Sequence, residues 1–184
     1  MDINLDKIVE VLRNGGVVTH PTDTCYGLAC DIFNQKAVDR LYELKQMPKN
    51  KPLSIIVGSL EEARKYGVFN DKALELAKKG WPGDLTLVLS RTSEVPTYLN
   101  NGIDTIGIRI PSDELTLEML KRWGGPLSTT SANLSKGSNP YSSKDALKGD
   151  VVIDVGVIPC KKPSTIVSVV DGGISVLRQG EFIV

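Results

Sequence analysis

Histidine is almost missing from this sequence. Its 184 residues contain one, His20. A helix-borne pair of histidines, the usual start of a catalytic zinc site, is therefore excluded. Cysteine is scarce too. Cys25 and Cys30 are spaced C-x4-C, and Cys160 stands alone. With no second pair and no histidine array beside them, neither a structural zinc site nor a disulfide framework is expected. An odd set of unpaired thiols suits a reduced, cytosolic protein. Aromatics make up 5% of the chain, and 22 basic residues balance 22 acidic ones. There is no global basic footprint for nucleic acid and little with which to stack bases, so any affinity for RNA must come from a local patch. No apolar run approaches the roughly 20 residues that span a bilayer. The opening "MDINLDKIVEVLRNGG" has no basic stretch followed by an apolar one, so it is not expected to act as a signal peptide. There is no GxxxxGK[ST] and no G-x-S-x-G, which removes the P-loop and the nucleophile elbow.

What is present reads as alternating helices and strands. Leu5, Ile8, Val9, Val11 and Leu12 form an apolar helix face closed by Gly15-Gly16. Val17–Thr19 reads as a short buried strand. The stretch that follows, "HPTDTCYGLACD", is too polar and irregular for a core strand. Helical spacing returns over residues 35–46 and stops at Pro48. Strands are expected at 53–57, 85–90, 105–110, 126–131, 151–155, 165–170 and 174–177. Ser59 opens a helix through a capping box, Asn70 caps another, and Ser112 is expected to cap a third that runs to about Trp123. Ser142–Leu147 reads as a short helix. The last two strands are joined by Asp171-Gly172-Gly173, a hairpin turn. The pattern predicts an α/β fold, a mixed sheet with helices packed on it, in a single domain over residues 1–184.

Small polar residues gather where strands end. Thr22 and Thr24 follow the first, Thr129, Thr130, Ser131 and Asn133 another, and Ser164 and Thr165 precede a third. Turns and helix caps use the same residue types, but strand ends also hold small polar ligands well, because the sheet fixes their position. "KQMPKNKP" brings Lys45, Lys49 and Lys51 together at a helix end. There they can complement the helix dipole or bind phosphate. Arg109 lies inside an otherwise apolar strand and must face solvent, a carboxylate or an anionic ligand, since an unpaired buried guanidinium is costly. Arg178 raises the same question. His20 reads as a structural imidazole, and Cys25 and Cys30 as buried thiols.

Seven motifs, "PTDTCYGLACD", "LKQMPKNKPL", "WPGDLT", "GIRIP", "PLSTTSANLS", "PSTIV" and "LRQG", occur in an order and spacing that resembles the YrdC family, the threonylcarbamoyl-adenylate synthases. The likeness runs over nearly the whole chain, and it is to the short, single-domain form. It implies a YrdC-like twisted mixed sheet with a concave, positively charged cavity. It also implies a nucleotidyltransferase that joins L-threonine, bicarbonate or CO2, and ATP with magnesium, releasing pyrophosphate. The product would serve tRNA-modification partner proteins that build N6-threonylcarbamoyladenosine in tRNA, in the cytoplasm and without a membrane.

By the same resemblance Thr24, Arg109, Thr129, Ser164 and Thr165 match contacts to L-threonine. Lys45, Lys49, Lys51, Thr105, Ser131, Asn133, Asn139 and Arg178 match the nucleotide side, with Lys45, Ser131 and Asn133 the expected catalytic positions. No protein-held metal is implied, since magnesium can ride on the triphosphate. A bidentate contact from Arg109 to the amino-acid carboxylate would satisfy the buried guanidinium. Three positions depart from the family pattern. Met47 stands where the family has an arginine, Ile56 where some members have a histidine, and Asn139 where a serine can contact nucleotide. Lys49 is expected to compensate for Met47. A carbamoyl-adenylate-forming relative and a non-catalytic RNA-binding module are the competing readings.

Overall fold

The structure, a computed structural model, describes residues 3–184. Among the described residues there are five α-helices, the first two on the expected apolar spacing and the other three behind capping residues. α1 (Leu5–Arg13) buries Leu5, Ile8, Val9 and Leu12. α2 (Gln35–Leu44) buries Ala37, Val38, Leu41 and Tyr42. α3 (Leu60–Tyr66) is capped by Ser59, whose side chain accepts from the Glu62 N–H. α4 (Asp71–Gly80) is capped by Asn70. α5 (Glu114–Trp123) is capped by Asp113.

Nine strands, β1 (Val18–His20), β2 (Gly27–Ala29), β3 (Ser54–Ile56), β4 (Leu85–Ser90), β5 (Thr105–Arg109), β6 (Leu127–Ser131), β7 (Val151–Val152), β8 (Thr165–Ser168) and β9 (Ser175–Arg178), form one sheet. Their order is β7-β1-β2-β6-β3-β5-β4-β8-β9. β1 with β7, β3 with β5 and β4 with β8 run parallel, and the other pairs antiparallel. The sheet is mixed, as the alternation of elements with a closing hairpin predicts.

Side-chain alternation divides the core between the two faces of the sheet. Leu28, Ile55, Leu85, Leu87 and Leu89 pack with α2 and α4 on one face. Ala29, Ile56 and Leu127 pack with α1 and α5 on the other. On this second face the residues of the central strands become polar: Ser54 on β3, Thr86 on β4, Thr129 and Ser131 on β6. α1 and α5 cover only part of that face, and the remainder is the floor of a cavity.

Four expectations are corrected. Residues 27–29 form β2, which is fully buried between β1 and β6, so the polar stretch does contain a core strand. The cap of α5 is Asp113 and not Ser112, because the Asp113 carboxylate accepts the Thr116 N–H at 2.7 Å. Ser142–Leu147 forms no helix. Ser142 Oγ donates to Asp145 Oδ2 at 2.6 Å and closes a single turn. The expected strand at 151–155 shortens to the two residues of β7.

Candidate functional site

The cavity over the polar face has a volume of about 480 Å³. The segment between β1 and β2 supplies Thr22, Asp23, Thr24 and Cys25 to its wall. Thr22 fixes this segment. Its Oγ1 donates to the Cys25 carbonyl at 2.6 Å and accepts from the Thr24 N–H at 3.1 Å.

Lys45, immediately after α2, is turned inward and is 3% exposed. Its Nζ donates to the Ser131 carbonyl, to the Asn133 carbonyl at 2.9 Å and to Asn133 Oδ1 at 3.3 Å. Asn133 Oδ1 also accepts from Ser131 Oγ at 2.6 Å, and the Ser135 N–H donates to the Lys45 carbonyl at 3.0 Å. The end of α2 is thereby stitched to the loop after β6. Burial, with Lys51 nearby, pushes the Lys45 ammonium down to about 8.

Arg109, near the end of β5, is 7% exposed. Nη2 donates to Asp23 Oδ1 at 2.7 Å and to Asp84 Oδ1 at 2.9 Å, and Nε donates to the Gly83 carbonyl at 2.8 Å. Nη1 is 3.5 Å from Thr24 Oγ1. The guanidinium is therefore satisfied by two carboxylates of the chain itself, and only Nη1 is left to address a ligand. A bidentate contact to a ligand carboxylate does not fit this arrangement. Burial pushes the Asp84 carboxyl up, and Arg109 opposes that shift. Arg178 donates Nε and Nη2 to the Ser164 carbonyl at 3.0 and 2.8 Å, and Nη2 to Ser164 Oγ at 3.1 Å. Ser164 Oγ in turn meets Thr86 Oγ1 at 2.9 Å. Cys25 lies where Arg109, Lys45 and Arg178 all act on its thiol, but burial outweighs them and pushes it up.

Of the residues expected at the site, Thr24, Lys45, Lys51, Arg109 and Thr129 line the cavity, as do Ser131, Asn133, Asn139, Ser164 and Arg178. Three do not. Thr165 alternates with Ser164 and Ile166 and faces the other way, where its Oγ1 donates to the Phe182 carbonyl at 2.6 Å. Thr105 shares a strand face with Arg109 but sits four residues away, about 13 Å at strand rise. Lys49 is outside, paired with Asp39 at 2.6 Å, so it does not stand in for Met47. Met47 is buried in the apolar core, and Ile56 lines the cavity. Sequence reasoning missed Asp23, Asp84, Thr86 and Lys136. The single threonine among leucines in "LTLVLS" is the signal that could have found Thr86.

Residues 10–180 match the Sua5/YciO/YrdC family model, described as telomere recombination. The chain belongs to the Sua5/YciO/YrdC family. Within that family it is 39% identical over 183 residues to a putative threonylcarbamoyl-AMP synthase of Methanocaldococcus jannaschii, covering 95% of this chain and 86% of that protein. It superposes on Pyrococcus abyssi Sua5 complexed with L-threonine with a TM-score of 0.90 at 31% identity, covering 96% of this chain and 54% of that one. Escherichia coli YciO gives a TM-score of 0.85 at 30% identity, covering 96% of this chain and 88% of that one. The chain thus spans nearly all of YciO and about half of the Sua5 structure. The likeness to both supports the twisted mixed sheet of this family.

Proposed function

We propose that this protein makes L-threonylcarbamoyl-adenylate and pyrophosphate from L-threonine, bicarbonate or CO2, and ATP. The observation that carries the reading is the convergence of Thr24 and Arg109 with Lys45, Ser131, Asn133 and Arg178 on one cavity, drawn from distant parts of the chain. The M. jannaschii relative named as a putative threonylcarbamoyl-AMP synthase and the P. abyssi Sua5 complex with L-threonine support it.

The reaction asks for positioning. The threonine amine and CO2 form a carbamate, a carbamate oxygen attacks the α-phosphorus, and pyrophosphate leaves. Two anions must be held together, and cations and fixed hydroxyls achieve this without an acid–base dyad. In this reading Thr24, Thr129, Ser164 and Arg109 Nη1 receive the amino acid. Lys45, Lys51, Arg178, Ser131, Asn133 and Asn139 face the nucleotide. The described residues hold no cluster of three or more His, Cys, Asp or Glu side chains that could hold a metal ion. In this proposal magnesium would enter on the nucleotide, bound mainly through its phosphates, where it would neutralise their charge. A cytoplasmic setting and transfer of the product to tRNA by partner proteins complete the proposal. No helix among the described residues is long and apolar enough to cross a membrane.

The test is pyrophosphate release from ATP with threonine and bicarbonate present, against the same mixture without threonine, with the adduct identified by mass. Threonine-dependent release is expected. Equal release in both mixtures would overturn the assignment.

A further inference from the structure

Five cations line the cavity: Lys45, Lys51, Arg109, Lys136 and Arg178. Three are already engaged by the chain. Lys45 holds carbonyls of the loop after β6, Arg109 holds two carboxylates, and Arg178 holds Ser164. The ammonium groups of Lys51 and Lys136 have no hydrogen bond or ion pair among the described residues. A triphosphate brings three to four negative charges. Arg109 is already neutralised by carboxylates, and Lys45 and Arg178 keep their charge but have donors committed to the chain, so Lys51 and Lys136 are the cations whose donors are free to meet it.

Lys136 also sits where the backbone argues against it. Its φ is 72°, in the left-handed region where glycine is the default. The turn is closed by the Gly137 N–H donating to the Leu134 carbonyl at 2.9 Å. Asn133 Nδ2 holds the Gly137 carbonyl at 2.5 Å, and Ser135 is tied to Lys45. The base of Lys136 is thus fixed on the cavity wall while its ammonium is exposed and unpaired. A strained residue at a cavity is a pointer to function.

We propose that Lys136 binds the phosphates of the nucleotide beyond the α-phosphate, together with Lys51, and supplies the phosphate-binding cation that neither the buried Met47 nor the outward Lys49 provides. The proposal rests on the reading that this cavity takes ATP. A lysine at the rim reaches the charged, solvent-facing tail of the ligand, whereas the adenosine needs no cation.

Binding of ATP, ADP, AMP and adenosine is measured by calorimetry for the wild-type chain and for Lys136→Gly, Lys136→Ala and Lys136→Arg, alongside thermal unfolding and turnover. Lys136→Gly should weaken ATP about tenfold or more, ADP less, and AMP and adenosine hardly at all. It should also raise the melting temperature by about 2–4 °C, because glycine relieves the positive φ. Lys136→Ala should lose ATP affinity without that gain, and Lys136→Arg should keep most of the affinity. A purely structural lysine would show the opposite coupling, with no loss selective for ATP. Unchanged ATP binding in Lys136→Gly, or an equal loss for all four ligands, would overturn the proposal and leave the activity standing. Phosphate-selective loss in a chain without threonine-dependent turnover would overturn the activity alone. No ATP binding by the wild-type chain would overturn both.

Discussion

Lys45 Nζ, just beyond the end of α2, lies 2.9 Å from the carbonyl oxygen of Asn133, 88 residues further along the chain. This contact joins the start of the basic segment around Pro48 to the polar loop after β6. It gives Lys45 two roles, orienting Ser131 and Asn133 and carrying charge into the cavity. Lys45→Ala should therefore impair the ATP step mainly, raising KM for ATP and lowering kcat with little change in KM for threonine. Steady-state kinetics with each substrate varied in turn decide this, and unchanged constants for ATP would refute it.

The same residue predicts a divergence between activity and stability at alkaline pH. Its ammonium is pushed down to about 8, so its charge, and any step needing it, fades as pH rises through that value. The unfolded chain keeps the proton up to the ordinary lysine value of 10.5. Between the two the unfolded state binds more protons, and this group's contribution to stability rises with pH. Activity falling above about pH 8 without a matching loss of stability attributable to Lys45 is the expected signature. Lys45→Ala should remove that component from both profiles, and an unaltered activity profile in the variant counts against it.

Arg109 carries a structural load that the sequence did not reveal. Asp23, whose side chain is 6% exposed, relies on it. Arg109→Ala should weaken threonine use and also destabilise the protein by about 3–5 kcal/mol, because the buried carboxylate loses its countercharge and keeps only the neutral donors of Ser112. Asp84→Asn should act in the opposite direction on threonine. It removes one of the two carboxylates that compete with a ligand for the guanidinium, so KM for threonine should fall. Urea titration and threonine kinetics on both variants provide the check. A rise in KM with Asp84→Asn would show that the carboxylate helps to hold the ligand.

The helices were legible because their apolar spacing and caps are local signals. Ser59 and Asn70 cap where they were expected to. β2 was missed for the opposite reason. Three buried residues, Gly27, Leu28 and Ala29, sit inside a polar stretch, and only pairing with β1 and β6 makes them a strand. Ser142 and Asp145 carry a capping signal with no helix behind it, since a cap closes a turn as readily as it starts a helix. At the site, residue type and resemblance placed ten positions on the cavity wall, but partner choice was not readable. Nothing local says that Arg109 meets Asp23 and Asp84, that Met47 turns into the core, or that Lys49 meets Asp39. These follow from register and side-chain direction, which long-range packing decides.

Gly107 tests the polar face directly. It lies beside Ser54 across the β3–β5 pair. A Cβ there would overlap Ser54 Oγ and lie 3.1 Å from Ser54 Cβ and 3.4 Å from Thr86 Cγ2. Gly107→Ala should cost about 1–3 kcal/mol by overpacking. Adding Ser54→Gly should recover part of that loss, because the obstructing atoms are gone. Chemical denaturation of the two single variants and the double variant measures the coupling. Strictly additive losses would mean that the strain lies elsewhere.

His20 makes the last prediction, on the acid side. Nδ1 lies 2.9 Å from the Pro21 carbonyl and 3.3 Å from Thr116 Oγ1, while Nε2 is buried with no partner among the described residues. A ring that donates from Nδ1 and has no acceptor for a second proton is held neutral. Burial lowers its pKa from the ordinary 6.5, against the pull of Asp113 and Asp23. The unfolded chain then binds more protons than the native one below that ordinary value, so stability should fall as the pH drops through it. His20→Phe fills a similar volume and cannot take a proton. Unfolding free energies from about pH 7.5 to about pH 5.5 should decline more steeply for the wild-type chain than for the variant. Parallel profiles would show that the imidazole finds a proton acceptor in solution and that its burial carries no pH cost.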